Sequence, residues 1–141
     1  MKNEPRKPFV FEDTYDVAII GAGASGLTCA VSCAQEAVRL KAPIPRIIVF
    51  EQGKRLGTSI LRSGNGRCNF SNAHLDVSRF YQASFVKESL EALNNQEPEA
   101  VLRWFENRGL VWSEAPASGG LLYPFSNKAV SVLEVLQQAL Q

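Results

Sequence analysis

The apolar positions along the chain change period several times, and each change marks an element. Tyr15–Ile20 and Arg46–Phe50 are apolar runs of strand length, and residues 24–41 between them carry apolar side chains at helical spacing. Pro43 and Pro45 break the connection before the second run. From Gln52 to Asn72 regular period is lost: Gly53, Gly57, Gly64 and Gly66 sit among many polar residues, and the stretch is too irregular for one element. Period returns in residues 76–94 and 98–107, each predicting one helix, the second with Pro98 near its start and Gly109 just past its end. Leu110–Trp112 and Leu121–Tyr123 are short strand candidates around Ser118-Gly-Gly120 and predict a hairpin with a loose loop. A last helix carries Val130, Leu133, Leu136 and Leu140, with Ser126 or Asn127 as its cap. The pattern predicts an α/β chain with an incomplete parallel sheet, added helices and a hairpin. Because the last helix runs up to Gln141 without a glycine cap, the chain is expected to be the N-terminal part of a longer protein.

The first strand enters Gly21-Ala-Gly-Ala-Ser-Gly26, a G-x-G-x-x-G turn, and the first helix leaves from it. Each glycine answers a separate steric requirement. Gly21 ends the strand and permits the tight turn, Gly23 lets the backbone approach a diphosphate, and Gly26 lets the helix pack closely on the strand. Ala30 keeps that approach small. Around Ala24 and Ser25 the first helical turn offers unpaired N–H groups and the positive end of the helix dipole, so phosphate binding needs no lysine.

Glu51 ends the second strand 25 residues beyond Gly26, close to where a dinucleotide site places its ribose-binding carboxylate. Such an acid repels a 2′-phosphate, which favours FAD or NAD over NADP. Two plainer readings stand beside these: a strand-to-helix turn with no ligand, and Glu51 as a solvated strand-end residue. The strand before the turn, the helix after it and the acid beyond favour the dinucleotide site.

Composition narrows the class. At 141 residues and 45% hydrophobic content the chain is about one domain long and has enough apolar side chains for a sizeable core. A formal net charge of +1 with mixed signs gives no reason to expect nucleic acid or an anionic membrane as partner. Cys29, Cys33 and Cys68 are an odd number without a C-x-x-C pair, which argues against a disulfide framework or a metal site and for a reducing compartment. Cys29 and Cys33, four apart, are expected as small packing residues on the buried side of the first helix. The polar, proline-interrupted N-terminus has no apolar signal region, and no 18-residue apolar stretch follows. A cytoplasmic protein with a flexible lead-in over residues 1–14 is expected.

Two narrower motifs come later: Ser63-Gly-Asn-Gly-Arg-Cys-Asn-Phe-Ser-Asn72 and Tyr123-Pro-Phe-Ser-Asn-Lys-Ala129. With the glycine fingerprint and Glu51, they resemble the N-terminal part of a bacterial NAD(P)/FAD-dependent oxidoreductase family over residues 15–141. Its members are flavoproteins variously labelled aminoacetone oxidase-like or bile-acid 3-dehydro-reductase-like. The resemblance implies a Rossmann-like FAD/NAD(P)-binding domain holding FAD. It also implies hydride or electron transfer through the flavin from NAD(P)H or an organic donor, with a small-molecule substrate bound largely by residues beyond Gln141. It further implies that Gly64, Gly66, Arg67, Cys68 and Asn69 lie against the flavin or its ribityl-diphosphate chain, with backbone N–H groups and Asn69 offering hydrogen bonds. The two glycines permit close approach, and Arg67 supplies a fixed cation or, equally, a structural salt bridge. Lys54-Arg-Leu-Gly-Thr-Ser-Ile60 departs from the family pattern, where a more basic Gly-Arg-Lys type of segment is expected.

No catalytic residue is assigned. Cys68 lacks a neighbouring thiol, and His74, the single histidine, is not evidently its base, so a packed, inert Cys68 is expected. Two rivals remain. A NAD-dependent dehydrogenase would look alike up to residue 51, and the Ser63–Asn72 motif counts against it. A nucleotide-binding fragment without activity of its own is the other.

Overall fold

A computed structural model describes residues 14–74, 76–92 and 99–141. The expected lead-in up to residue 13, the end of the helix expected at 94 and Pro98 lie outside these residues. β1 (Val17–Ile20) and β2 (Ile47–Phe50) pair in parallel, Val17 opposite Ile47 and Ile20 opposite Phe50. Parallel neighbours need a crossover, and α1 (Ala24–Arg39) provides it. The helix buries Leu27, Ala30, Val31 and Ala37. Cys29, expected on that side, is exposed and Cys33 is half-buried. Two residues past Leu27 is more than half a turn around the helix, which carries Cys29 away from the buried stripe. The last turn is closed by Arg39, whose Nε donates to the Glu36 carboxylate at 2.8 Å.

The irregular stretch after β2 folds into short pieces: α2 (Thr58–Arg62), a 3-10 turn at Ser63–Gly66 and β3 (Ser71–Asn72). Gly57 starts α2 in the left-handed region, φ +67°, and a Cβ there would collide with Leu133. Residues 76–94, expected as one helix, are divided. The Asp76 carboxylate accepts the Ser78 N–H at 2.9 Å and sets a 3-10 turn at Val77–Arg79, and α3 begins only at Ala83 (Ala83–Ala92). Side-chain bonding to the local backbone competes with the helix here, and Gln82, at φ +59°, completes the break.

α4 (Glu99–Glu106) is followed by Gly109 at φ +82°. The expected hairpin forms from β4 (Trp112–Glu114) and β5 (Leu121–Pro124), antiparallel with Ser113 opposite Tyr123, its first strand shifted two residues onward. β3 adds to the other edge of β5, giving a three-stranded sheet of order β3-β5-β4. α5 (Ala129–Gln138) closes the described chain. Lys128 stands at its cap position, where Ser126 or Asn127 was expected; Asn127 is left-handed at φ +56°, and the Ser126 hydroxyl pairs with that of Ser131 at 2.7 Å. The buried face is Ala129, Val132, Leu133, Val135 and Leu136, so Val130 and Leu140 fall at its margins.

The arrangement is a Rossmann-like α/β fold: a parallel core pair, added helices and a small antiparallel sheet. One core cluster joins Ala22 of the glycine turn, Leu27 of α1, Ile60 of α2, Cys68, and Leu133 and Leu136 of α5. Trp104 and Phe105 of α4 and Phe70 pack against it, their rings edge to face. This cluster sits beneath the start of α1 and fixes that helix end relative to α2 and the loop after it. No helix among the described residues is long and apolar enough to cross a membrane.

Candidate functional site

The turn after β1 has the shape its glycines require. Gly21 lies at φ +97°, and its N–H donates to the Phe50 carbonyl at 2.7 Å, ending the parallel ladder. A Cβ on Gly26 would collide with the Gly21 carbonyl oxygen and touch Ile19, so no larger residue fits. The first helical bond of α1 runs from the Leu27 N–H to the Gly23 carbonyl at 3.0 Å. The N–H groups of Gly23, Ala24, Ser25 and Gly26 therefore precede the ladder. No side chain caps Gly23, and the first turn holds no acid to repel an anion.

Glu51 reaches back to this turn. Its Oε2 accepts the Ala22 N–H at 3.0 Å and its Oε1 the Gly53 N–H at 2.6 Å. These N–H groups, Gly53 first and Ala22 second, hold the Glu51 carboxyl below the usual glutamate range. A carboxylate has about four acceptor positions, so lone pairs remain beyond these two bonds. The acid is an exposed group fastened against the glycine turn, which an ordinary solvated strand end would not be.

The second segment meets the same turn. The Gly57 N–H donates to the Ala22 carbonyl at 2.7 Å, and a Cβ built on Gly23 would lie 3.2 Å from the Ser59 Oγ. A cavity of about 390 Å³ opens beside this contact, lined by Ala24, Thr28, Ser59, Ser63, Cys68 and Asn69, with Phe70 and Phe105 among its apolar walls. Ala24, Cys68 and Asn69, expected at a cofactor from separate motifs, thus share one wall system; Gly64, Gly66 and Arg67 do not line it. Thr28 and Ser59 were not singled out in the sequence and are added by the fold, and Ser63, which opens the later motif, joins them.

The chain between Ser63 and Asn69 is a compact knot of left-handed residues. Gly64 (φ +53°), Asn65 (+54°), Gly66 (+81°) and Cys68 (+59°) all lie there. The Arg67 N–H donates to the Gly64 carbonyl at 3.1 Å and the Cys68 N–H to the Ser63 carbonyl at 3.0 Å. Asn69 Nδ2 donates to the carbonyls of Ser71 and Leu122 at 3.0 and 3.1 Å. These donors, expected toward a ligand, have partners within the protein; Asn69 keeps its side-chain carbonyl oxygen as an acceptor. Arg67 stacks over the Tyr123 ring at 4.5 Å and has no carboxylate partner among the described residues. A Cβ on Gly64 would lie 3.2 Å from the same ring, so the two later motifs form one unit. Burial pushes the Cys68 thiol up, with a smaller opposing effect from Ser63, which favours the protonated, unreactive form.

The family model described as HI0933-like protein Rossmann domain matches residues 15–141. The chain belongs to this family. It is 33% identical over 127 residues to the 3-dehydro-bile acid delta(4,6)-reductase of Clostridium scindens, covering 89% of this chain and 28% of that protein. It is 29% identical over 104 residues to the ribosomal RNA dihydrouridine synthase of Escherichia coli, covering 72% of this chain and 24% of that one. Against the ribosomal RNA dihydrouridine synthase of Haemophilus influenzae, identity is 38% over 79 residues, covering 55% and 18%. The chain spans less than a third of the length of each of these relatives.

The residues of this HI0933-like chain suit a dinucleotide on structural grounds. The surface of Gly23 is bounded by a single hydroxyl, uncapped N–H groups begin α1, and a carboxylate stands on the β2 side of the turn. A cavity leads from the same helix start toward Asn69. Among the described residues no group of three or more His, Cys, Asp or Glu gathers in a metal-binding arrangement.

Proposed function

We propose that this chain is the FAD-binding part of an oxidoreductase that passes hydride from NAD(P)H, or from an organic donor, to a small organic acceptor. The reading rests above all on the convergence of the Gly21–Gly26 turn, Glu51 and the Ser63–Asn69 loop around one helix start. In it, the N–H groups of residues 23–26 bind the diphosphate, and the free lone pairs of Glu51 accept from the ribose hydroxyls. The cavity from Ala24 to Asn69 takes the ribityl end, with the Asn69 carbonyl oxygen as acceptor and Phe70 and Phe105 as apolar walls that exclude water. Gly64, Gly66 and Arg67 build the outer part of that loop and hold its shape through Tyr123. Bound FAD supplies the hydride transfer, and Cys68 serves as packing.

The names of the relatives, a reductase and two dihydrouridine synthases, support reduction of the acceptor as the working direction. The chain's +1 charge supports a small molecule as substrate. Ribosomal RNA, named in two relatives, is the second reading; salt-sensitive RNA binding by this chain would favour it. Three free cysteines support a reducing, cytoplasmic setting.

The test is to incubate the purified chain with FAD, desalt it and record the visible spectrum, with NAD binding measured in parallel. Retained flavin absorbance is expected. NAD binding without FAD binding would mean the dehydrogenase reading, and binding of neither would overturn the assignment.

A further inference from the structure

Resting on the FAD reading above, we infer that Ser59 is a further cofactor ligand, its hydroxyl donating to a diphosphate oxygen seated on Gly23. A glycine at that point of the turn lets a phosphate occupy the space a side chain would take. Among the described atoms, the neighbour that bounds this space within 4 Å is the Ser59 Oγ, at 3.2 Å from the position of the missing Cβ. A phosphate pressed against Gly23 is therefore within hydrogen-bond reach of that hydroxyl.

The hydroxyl is available for the task. The hydroxyls on either side of it are spent locally, Thr58 Oγ1 on the Arg55 carbonyl at 2.8 Å and Ser63 Oγ on the Ile60 carbonyl at 2.7 Å. Ser59 Oγ makes no hydrogen bond among the described residues, and the residue is exposed toward the cavity it shares with Ala24 and Asn69. Its position is fixed from behind. The Gly57 N–H bonds to the Ala22 carbonyl, and Ile60, the next residue along α2, is buried in the core cluster. The N–H groups at the start of α1 approach a diphosphate from one side, and Ser59 closes on it from another as a neutral donor. Specificity follows: the contact depends on the phosphates and is indifferent to the base and the ring.

The test compares the wild-type chain with Ser59→Ala for binding of FAD, ADP and adenosine, with thermal unfolding as a control for the fold. Alanine suits an exposed helical position and removes one hydroxyl, so the melting curve should be unchanged. The inference predicts Kd values about tenfold higher for FAD and ADP, the size of a hydrogen bond to a charged group, with adenosine unaffected. Equal FAD and ADP affinities in the two proteins would overturn the role of Ser59 while leaving the dinucleotide site standing. Equal weakening of adenosine would also overturn it, since the effect would not be read through phosphate. If the wild-type chain binds neither FAD nor ADP, the FAD reading itself fails.

Discussion

At the residue scale, one carboxylate and glycine backbone shape the turn after β1. Glu51 grips the Ala22 and Gly53 N–H groups, and the same bonds hold its carboxyl below the usual glutamate range. A group whose folded-state pKa is depressed adds to fold stability above its ordinary value and loses that contribution as pH falls through the depressed one. Once protonated, Glu51 also has fewer lone pairs to offer a ribose hydroxyl, so FAD affinity should be steady at neutral pH and decline in acid, below the ordinary carboxylate range. In Glu51→Gln that decline should flatten while affinity at neutral pH drops, because an amide cannot accept from both N–H groups with both of its end atoms. Titrations of FAD across pH for both proteins check this; identical profiles would remove Glu51 from the site.

The shape of the turn and the position of the acid were legible in the sequence because they follow from steric and charge rules attached to single positions: Gly26 excludes a Cβ, and an acid ends the second strand. Ser59 was not legible. Its relevance arises only when α2 folds back on the turn, and no local pattern marks a serine for that. The internal partners of the Arg67, Cys68 and Asn69 donors were not legible for a related reason. Left-handed residues at 64, 65, 66 and 68 curl the loop on itself, so its N–H groups meet its own carbonyls.

At the element scale, the βαβ unit was readable because its strands and helix are each long enough for their period to show. The pieces between Gln52 and Asn72 were not, since α2 has five residues and β3 two. Elements that short are held by tertiary contacts and not by their own propensity. α2 is pressed onto α5 where Gly57 meets Leu133, and this contact carries the second segment to the glycine turn. Truncation of Leu133 to alanine should cost about 2–5 kcal/mol, read from a denaturant melt. It should also weaken FAD binding, because α2 loses its backing. A loss of stability with unchanged FAD affinity would show that α2 is not needed to shape the site. The helix expected across residues 76–94 failed for a different reason. Its hydrophobic period was present, but the Asp76 carboxylate captured the Ser78 N–H and started a turn instead.

At the scale of the whole molecule, the described chain has two sheets, and the parallel one has two strands. Ile20 at the end of β1 is 82% exposed, although parallel sheets are ordinarily covered on both faces. The chain also spans less than a third of the length of each relative. Its fold class could be read from the order of periods and confirmed by the match over residues 15–141. The substrate could not, because the motifs that carry the family resemblance speak to the cofactor and not to the acceptor.

The central claim is that a diphosphate rests on the turn between β1 and α1. Its most direct test is an FAD titration of the chain followed residue by residue through backbone amide NMR shifts, with Gly23→Val alongside. Saturating shifts at Ala24, Ser25 and Gly26, joined by Ala22 and Gly53 where Glu51 holds the backbone, are predicted, and they should vanish in Gly23→Val while α1 stays folded. Shifts confined to other parts of the chain, or the same shifts surviving in Gly23→Val, would contradict it.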